Sequence, residues 1–167
     1  GQTLSQLLAE KNNPIADVAY YGVTTGIKAG NMGVATAYKP AKFDEIPDGL
    51  KDPDGKWFAI HYGSLGFFVN VDALGGADVP QCFADLTKPE YRGMVGYLDP
   101  SSAFVGYAGA VAINMAFGGD LDNFDPAIKY FNDLAENSPI VPKQTSYARV
   151  VSGEIPILFD YDFNAYR

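Results

Sequence analysis

Cysteine, histidine and tryptophan each occur once in these 167 residues. A single Cys82 excludes an internal disulfide and leaves the redox compartment open, since a disulfide-poor chain serves in cytosol or periplasm. A single His61 excludes a multi-histidine metal site. Basic residues are scarce: 12 Lys and Arg stand against 20 Asp and Glu, a formal net charge of -8. They form no cluster, which argues against a nucleic acid partner, because phosphate binding needs grouped Lys and Arg. No apolar run reaches the length of a bilayer-spanning helix, and the longest, Ala103 to Phe117, carries Asn114. The hydrolase elbow Gly-x-Ser-x-Gly is missing. So is a phosphate-binding loop: from Gly49 to Gly55-Lys56 the spacing is one residue too long, and Trp57 stands where Ser or Thr is needed.

Apolar residues are plentiful, at 47%. That suffices for a packed core in one domain or two small lobes. The chain is organised around the stretch from Met94 to Phe117. Met94 to Leu98 reads as a short buried strand. Asp99-Pro100 reads as a turn, since proline disfavours helical geometry in the residue before it. Ser101 or Ser102 is placed to cap a helix that runs from Phe104 to Phe117 and ends at Gly118-Gly119. Apolar on nearly all sides, that helix is expected to be buried. A strand, a polar turn and a helix in this order put unpaired N–H groups, a partial positive charge and two hydroxyls at one point, a setting for an oxyanion or other acceptor.

The theme occurs earlier as well. After an amphipathic helix from Thr3 to Asn12, Asp17 to Tyr21 reads as a strand. Gly22 to Gly26 reads as a polar turn in which Thr24 or Thr25 caps the next helix. Prolines and acidic residues between Val34 and Pro53 predict a surface loop, and Asp52-Pro53-Asp54-Gly55 a tight turn. Trp57 to Tyr62 and Phe67 to Val71 read as two strands, or one strand broken at Gly63 to Gly66 where the chain bends or crosses between lobes. A short helix is expected from Pro80 to Leu86, with Cys82 an inert thiol in an apolar setting. Another begins at Asp125-Pro126 with Ile128, Phe131, Leu134 and Ala135 facing inward. Gln144 to Tyr147 opens a further short helix that turns Val150 and Val151 inward and ends at Gly153. Glu154 to Phe159 reads as a strand that emerges into alternating acidic and aromatic residues from Asp160. Strand and helix alternate throughout, which is an α/β architecture with ligands at the carboxyl edges of strands.

Several short motifs together touch nearly the whole chain: Asn13-Pro14 with Asp17-Val18, Ile46-Pro47, Asp54-Gly55 with Trp57, Asn70, and Pro80 to Gly93 with Phe83, Asp85-Leu86, Pro89 and Tyr91 between. Asp99-Pro100-Ser101-Ser102 and Ser152-Gly153-Glu154 complete the set. In this order and spacing they resemble the family 1 extracellular solute-binding proteins, receptor subunits of bacterial ABC importers, and within them the ferric-ion and phosphorylated-sugar receptors. The resemblance implies a type II periplasmic-binding-protein-like α/β fold, with one lobe nearly complete and part of the other. Residues 1–63 would be a partial first lobe, 64–72 a hinge crossover, 73–159 the second lobe and 160–167 the start of the return hinge. The chain opens inside a helix and closes after a strand, so it reads as a segment of a longer protein in which no signal peptide is visible. The resemblance also implies ligand contacts at Gly22, Thr24 and Thr25, at Ser101, Ser102 and Ala103, at Ser146 and Tyr147, and at Tyr161 and Asp162. Tyr161 is followed by Asp162 where the ferric receptors carry adjacent tyrosines, which counts against a tyrosinate iron site.

The expected function is a periplasmic receptor that delivers a small polar solute to the membrane permease of an ABC importer. The two hydroxyl-lined helix starts favour an anion, such as a phosphorylated sugar, a phosphonate or a ferric anion. The acidic balance and Asp162 keep a polyamine or other cationic solute as the alternative. A hydrolase on an α/β scaffold ranks lower, as does a purely structural or interaction domain built on the aromatic residues. No catalytic residue, cofactor or metal site is expected, and the chain is expected to be monomeric.

Overall fold

The computed structural model describes residues 2–143 and 147–166. The chain divides into two units, Gly1–Tyr62 and Gly63–Arg167.

The first unit begins with α1 (Gln2–Ala9), none of whose residues is fully buried. Residues 14–22 are not helical and join no ladder, so the strand expected at Asp17 to Tyr21 does not form. A run of apolar and aromatic residues makes a segment suited to a sheet, but a ladder also requires a neighbouring strand. Helix α2 (Val23–Asn31) buries Gly26, Ala29 and Gly30. The two glycines let the side chains of Lys56 and Trp57 lie close against it. Phe43 is buried and meets Phe58 edge to face, with ring centroids 6.1 Å apart. The turn at Asp52 to Gly55 forms as expected. Gly55 N–H donates to the Asp52 carbonyl at 2.8 Å, and the backbone reverses at Gly55 with φ of 80°. That value is easy for glycine alone. Only Lys51 and Phe58 bridge across this turn, so Trp57 to Tyr62 is not a strand.

The second unit is built on a three-stranded sheet in the order β1-β3-β2. Strand β1 (Leu65–Val69) runs antiparallel to β3 (Ile157–Tyr161), with Leu65 opposite Tyr161 and Val69 opposite Ile157. Strand β2 (Val95–Gly96) runs parallel to β3. Ile157 to Asp160 are all buried, as befits a central strand covered on both faces. Ile157 and Phe159 pack with Leu74, Leu86, Tyr91, Val95, Ile113, Tyr130 and Leu134. Leu158 faces the other way, onto Val150 and Ile155. The strand expected at Met94 to Leu98 shrinks to two residues. Its outer neighbour is the Ile140 backbone, which pairs with Val95 and Tyr97. Pro142, the next residue that would face β2, has no N–H to extend that ladder.

Helix α3 (Phe104–Ala116) lies on this sheet and against α4 (Asp125–Glu136). Only one stripe of α3 is buried, through Val105, Gly106, Gly109, Ala110, Ile113 and Asn114. Phe104, Tyr107, Met115 and Phe117 are exposed, which corrects the expectation of burial on all sides. Helix α4 is also rotated from expectation, burying Ala127, Tyr130 and Leu134 and leaving Ile128 exposed. Tyr130 reaches inward because its hydroxyl finds the Phe83 carbonyl at 3.0 Å.

The helix expected from Pro80 is a 3-10 turn at Phe83–Thr87. Cys82 precedes it and is exposed, contrary to the apolar setting expected for it. Helix α5 (Tyr147–Val151) buries Val150 and leaves Val151 exposed. The last strand begins and ends later than read, and a short helix, α6 (Asp162–Ala165), follows it directly. Among the described residues no helix is long and apolar enough to cross a membrane.

Candidate functional site

The start of α3 is set by the close approach of two backbones. Gly106 lies so near the Leu98 carbonyl that a Cβ there would clash. Leu98 is buried, and the chain leaves it through a turn, Asp99 to Ala103, in which Ser101 and Ser102 are exposed and the other three residues half-buried. The Asp99 carbonyl accepts the N–H groups of Ser102 and Ala103, at 3.1 and 3.0 Å. Its Oδ1 accepts the N–H and the hydroxyl of Ser101, each at 2.8 Å. The Ser101 N–H, and then its hydroxyl, hold the Asp99 carboxyl below the ordinary carboxylate range.

The residue at the cap position is Ala103, which supplies no side-chain bond, so neither Ser101 nor Ser102 caps the helix. Both serines are exposed and precede the first helical turn, whose N–H groups have no acceptor within the helix. The Ser101 hydroxyl donates to Asp99, while Ser102 makes only a 3.4 Å contact to the Asp99 carbonyl. This end of α3 therefore joins a dipole-positive N-terminus to one carboxylate held ionised beside it. The pair suits a ligand that carries both an acceptor group and hydroxyl donors.

A second group lies where β3 passes into α6. Tyr161 is half-buried, and its ring stacks on Phe163 with centroids 5.1 Å apart. Asp162 is exposed, its Oδ1 accepting the Phe163 N–H at 2.8 Å. The Asp162 N–H donates to the Ser64 carbonyl at 2.9 Å. A Cβ at Gly63 would collide with the Asp162 carboxylate and the Phe163 ring. The bare backbone at 63 thus leaves room for the Asp162 carboxylate and the Phe163 ring.

Tyr147 is partly exposed at the start of α5, and Ser146 lies outside the described residues. In the first unit, Gly22 is the cap of α2 and makes no side-chain bond. Thr24 and Thr25 fall inside the first turn, Thr24 exposed and Thr25 half-buried, rather than at the cap expected of one of them. Among the described residues no group of three or more His, Cys, Asp or Glu is placed to hold a metal ion.

Two features were missed at sequence level. His61 accepts or donates a 2.6 Å hydrogen bond with the Tyr20 hydroxyl, both exposed, across 41 residues that no local pattern links. Asp160 is 3% exposed and Asn164 is buried with it, the amide donating to Asp160 Oδ1 at 2.8 Å. The signal for Asp160 was present: it ends a run of four apolar residues, Pro156 to Phe159, and Asn164 follows at helical spacing.

The family model described as bacterial extracellular solute-binding protein matches residues 13–167. The chain belongs to that family. An uncharacterized protein of Haemophilus influenzae is 33% identical over 171 residues, covering 96% of this chain and 49% of the relative. A probable ABC transporter periplasmic-binding protein of Sinorhizobium fredii, y4fP, is 31% identical over 94 residues, 56% of this chain and 26% of its own. Among solved structures, the periplasmic binding protein AfuA of Actinobacillus pleuropneumoniae, with exogenous fructose-6-phosphate bound, superposes with a TM-score of 0.76 at 31% identity. The match takes in 98% of this chain and 53% of AfuA. The chain therefore has the α/β fold of the type II periplasmic binding proteins and spans about half the length of the relatives it matches.

Proposed function

We propose that this chain is part of a periplasmic receptor that hands a small phosphorylated sugar to the membrane permease of an ABC importer. The observation that carries the reading is the start of α3, where first-turn N–H groups and the exposed Ser102 hydroxyl adjoin an ionised Asp99. A phosphate meets the helix N-terminus and sugar hydroxyls donate to the carboxylates of Asp99 and Asp162. AfuA, 31% identical, has such a solute bound, which supports the same class here.

In this reading Asp99 joins Gly22, Thr24, Thr25, Ser101, Ser102, Ala103, Ser146, Tyr147, Tyr161 and Asp162 in contacting the solute. The chain acts by binding, without catalysis or a resident metal, as a monomer. Residues 1–63 and 73–159 serve as lobes, with 64–72 and 160–167 as crossovers. The antiparallel pairing of β1 with β3 supports the last point, since it makes the outgoing and returning segments direct neighbours.

The test is calorimetric titration of the chain with fructose 6-phosphate, inorganic phosphate and spermidine. Fructose 6-phosphate is expected to bind, and replacement of Ser102 by a bulky residue to weaken it. A second reading, a polyamine receptor, rests on the exposed Asp162 and the net charge of -8. Binding of spermidine with no heat from either phosphate would favour it and sink the first.

A further inference from the structure

The carboxylate of Asp160 is buried, yet every hydrogen bond it makes serves the turn just beyond it. Its Oδ1 accepts the N–H of Tyr161 at 2.7 Å and the side-chain amide of Asn164 at 2.8 Å. Its Oδ2 is buried without a hydrogen-bond partner among the described residues. A buried carboxyl with an unmatched oxygen lowers stability, so its presence calls for a role. The helix it steadies, α6, has only four residues and is far too short to hold its own direction. Burial along the chain is graded: Asp160 is buried, Tyr161 half-buried, Asp162 exposed. The buried residue is tied at both ends of the turn, and the next two are the ones turned outward.

We propose that Asp160 is a positioning residue for solute recognition: through Tyr161 N–H and Asn164 it sets the orientation in which Tyr161 and Asp162 meet the solute. This rests on the reading that Tyr161 and Asp162 contact a phosphorylated sugar. Asp160 itself touches no solute. Its effect passes through the β3–α6 turn, whose far side is held by the Asp162 N–H on the Ser64 carbonyl.

The test is calorimetric titration of the full chain with fructose 6-phosphate, comparing the parent with Asp160→Ala, Asp160→Asn, Asn164→Ala and the Asp160→Ala/Asn164→Ala double variant. Stoichiometry reports the fraction of folded, competent protein, and Kd reports the geometry of the site, so the two separate a structural role from a positioning one. Asp160→Ala is expected to weaken Kd by about tenfold or more at unchanged stoichiometry. Asn164→Ala is expected to act in the same direction, and the double variant to fall short of the product of the singles, because both cut one tether. Asp160→Asn keeps an acceptor oxygen and is expected to bind within about threefold of the parent. A Kd for Asp160→Ala within about twofold of the parent, a loss confined to stoichiometry, or a fully multiplicative double variant overturns the proposal. Should Asp160→Ala fail to fold, Asn164→Ala decides by the same criteria. Tyr161→Phe and Asp162→Asn distinguish the two failures. If they leave Kd unchanged, or the parent gives no heat, the underlying reading falls and this inference with it. If they weaken Kd and the tether variants do not, this inference alone falls.

Discussion

Asn114 is a polar residue in an apolar helix, 1% exposed, and three hydrogen bonds account for it. Its amide donates to the carbonyls of Asp120 and Asn123, at 2.8 and 2.9 Å, and its Oδ1 accepts the Ala127 N–H at 3.2 Å. One side chain therefore ties both carbonyls of the α3–α4 connection and the start of α4 to the interior of α3. Asn114→Leu strands the buried Ala127 N–H and takes a donor from the part-buried Asp120 and Asn123 carbonyls, and we expect a loss of about 2–5 kcal/mol in urea unfolding. Gly106 works at the opposite end of the same helix, where it admits the Leu98 carbonyl. Gly106→Ala is expected to cost about 1–3 kcal/mol and also to weaken fructose 6-phosphate binding, since it shifts the turn at Ser101 and Ser102. Asn114→Leu leaves that turn alone and is expected to spare affinity in the folded fraction. Affinities that move together in both variants would count against a site at the start of α3.

At the scale of elements, what could be read from the sequence was what depends on neighbours along the chain. Helix α3 was legible almost to the residue, because its apolar run lies between an Asp-Pro turn and Gly118, which adopts φ of 84°. The burial of its faces was not legible, because an apolar stripe does not say how much of it a sheet will cover. Ile113 is fully buried and Met115 exposed, two residues on one helix that composition treats alike. Ile113→Ala is expected to cost about 2–5 kcal/mol and Met115→Ala well under about 1 kcal/mol, measured by urea unfolding. The strands read at Asp17 to Tyr21 and Trp57 to Tyr62 failed for a related reason. Runs of apolar and aromatic residues mark a segment fit for a sheet, whereas membership depends on a partner, and Val18 and Tyr62 remain 88% and 79% exposed. The candidate site divides the same way. The turn at Asp99 to Ala103 was visible as a local motif, but its cap was misassigned, since Ser101 bonds backward to Asp99 instead of forward into the helix.

At the scale of the molecule, charge sets the response to acid. Lys88 beside Asp85, the Ser101 N–H beside Asp99 and Arg149 beside Glu154 hold these three carboxyls below their ordinary values. The unfolded chain then binds protons that the folded chain does not. Their contribution is complete above the ordinary carboxylate range and fades as pH falls through that range and below it. The urea midpoint is therefore expected to drop as pH is lowered from about 6 to about 3, and less steeply in Asp85→Asn. A flat midpoint over that interval counts against these pairings. Cys82, exposed and without a second thiol anywhere in the sequence, has a practical consequence. A maleimide dye attached there gives one homogeneous adduct per chain. It stands before the Phe83–Thr87 turn and is none of the residues assigned to the solute, so a dye there replaces no recognition side chain and occupancy can be followed optically.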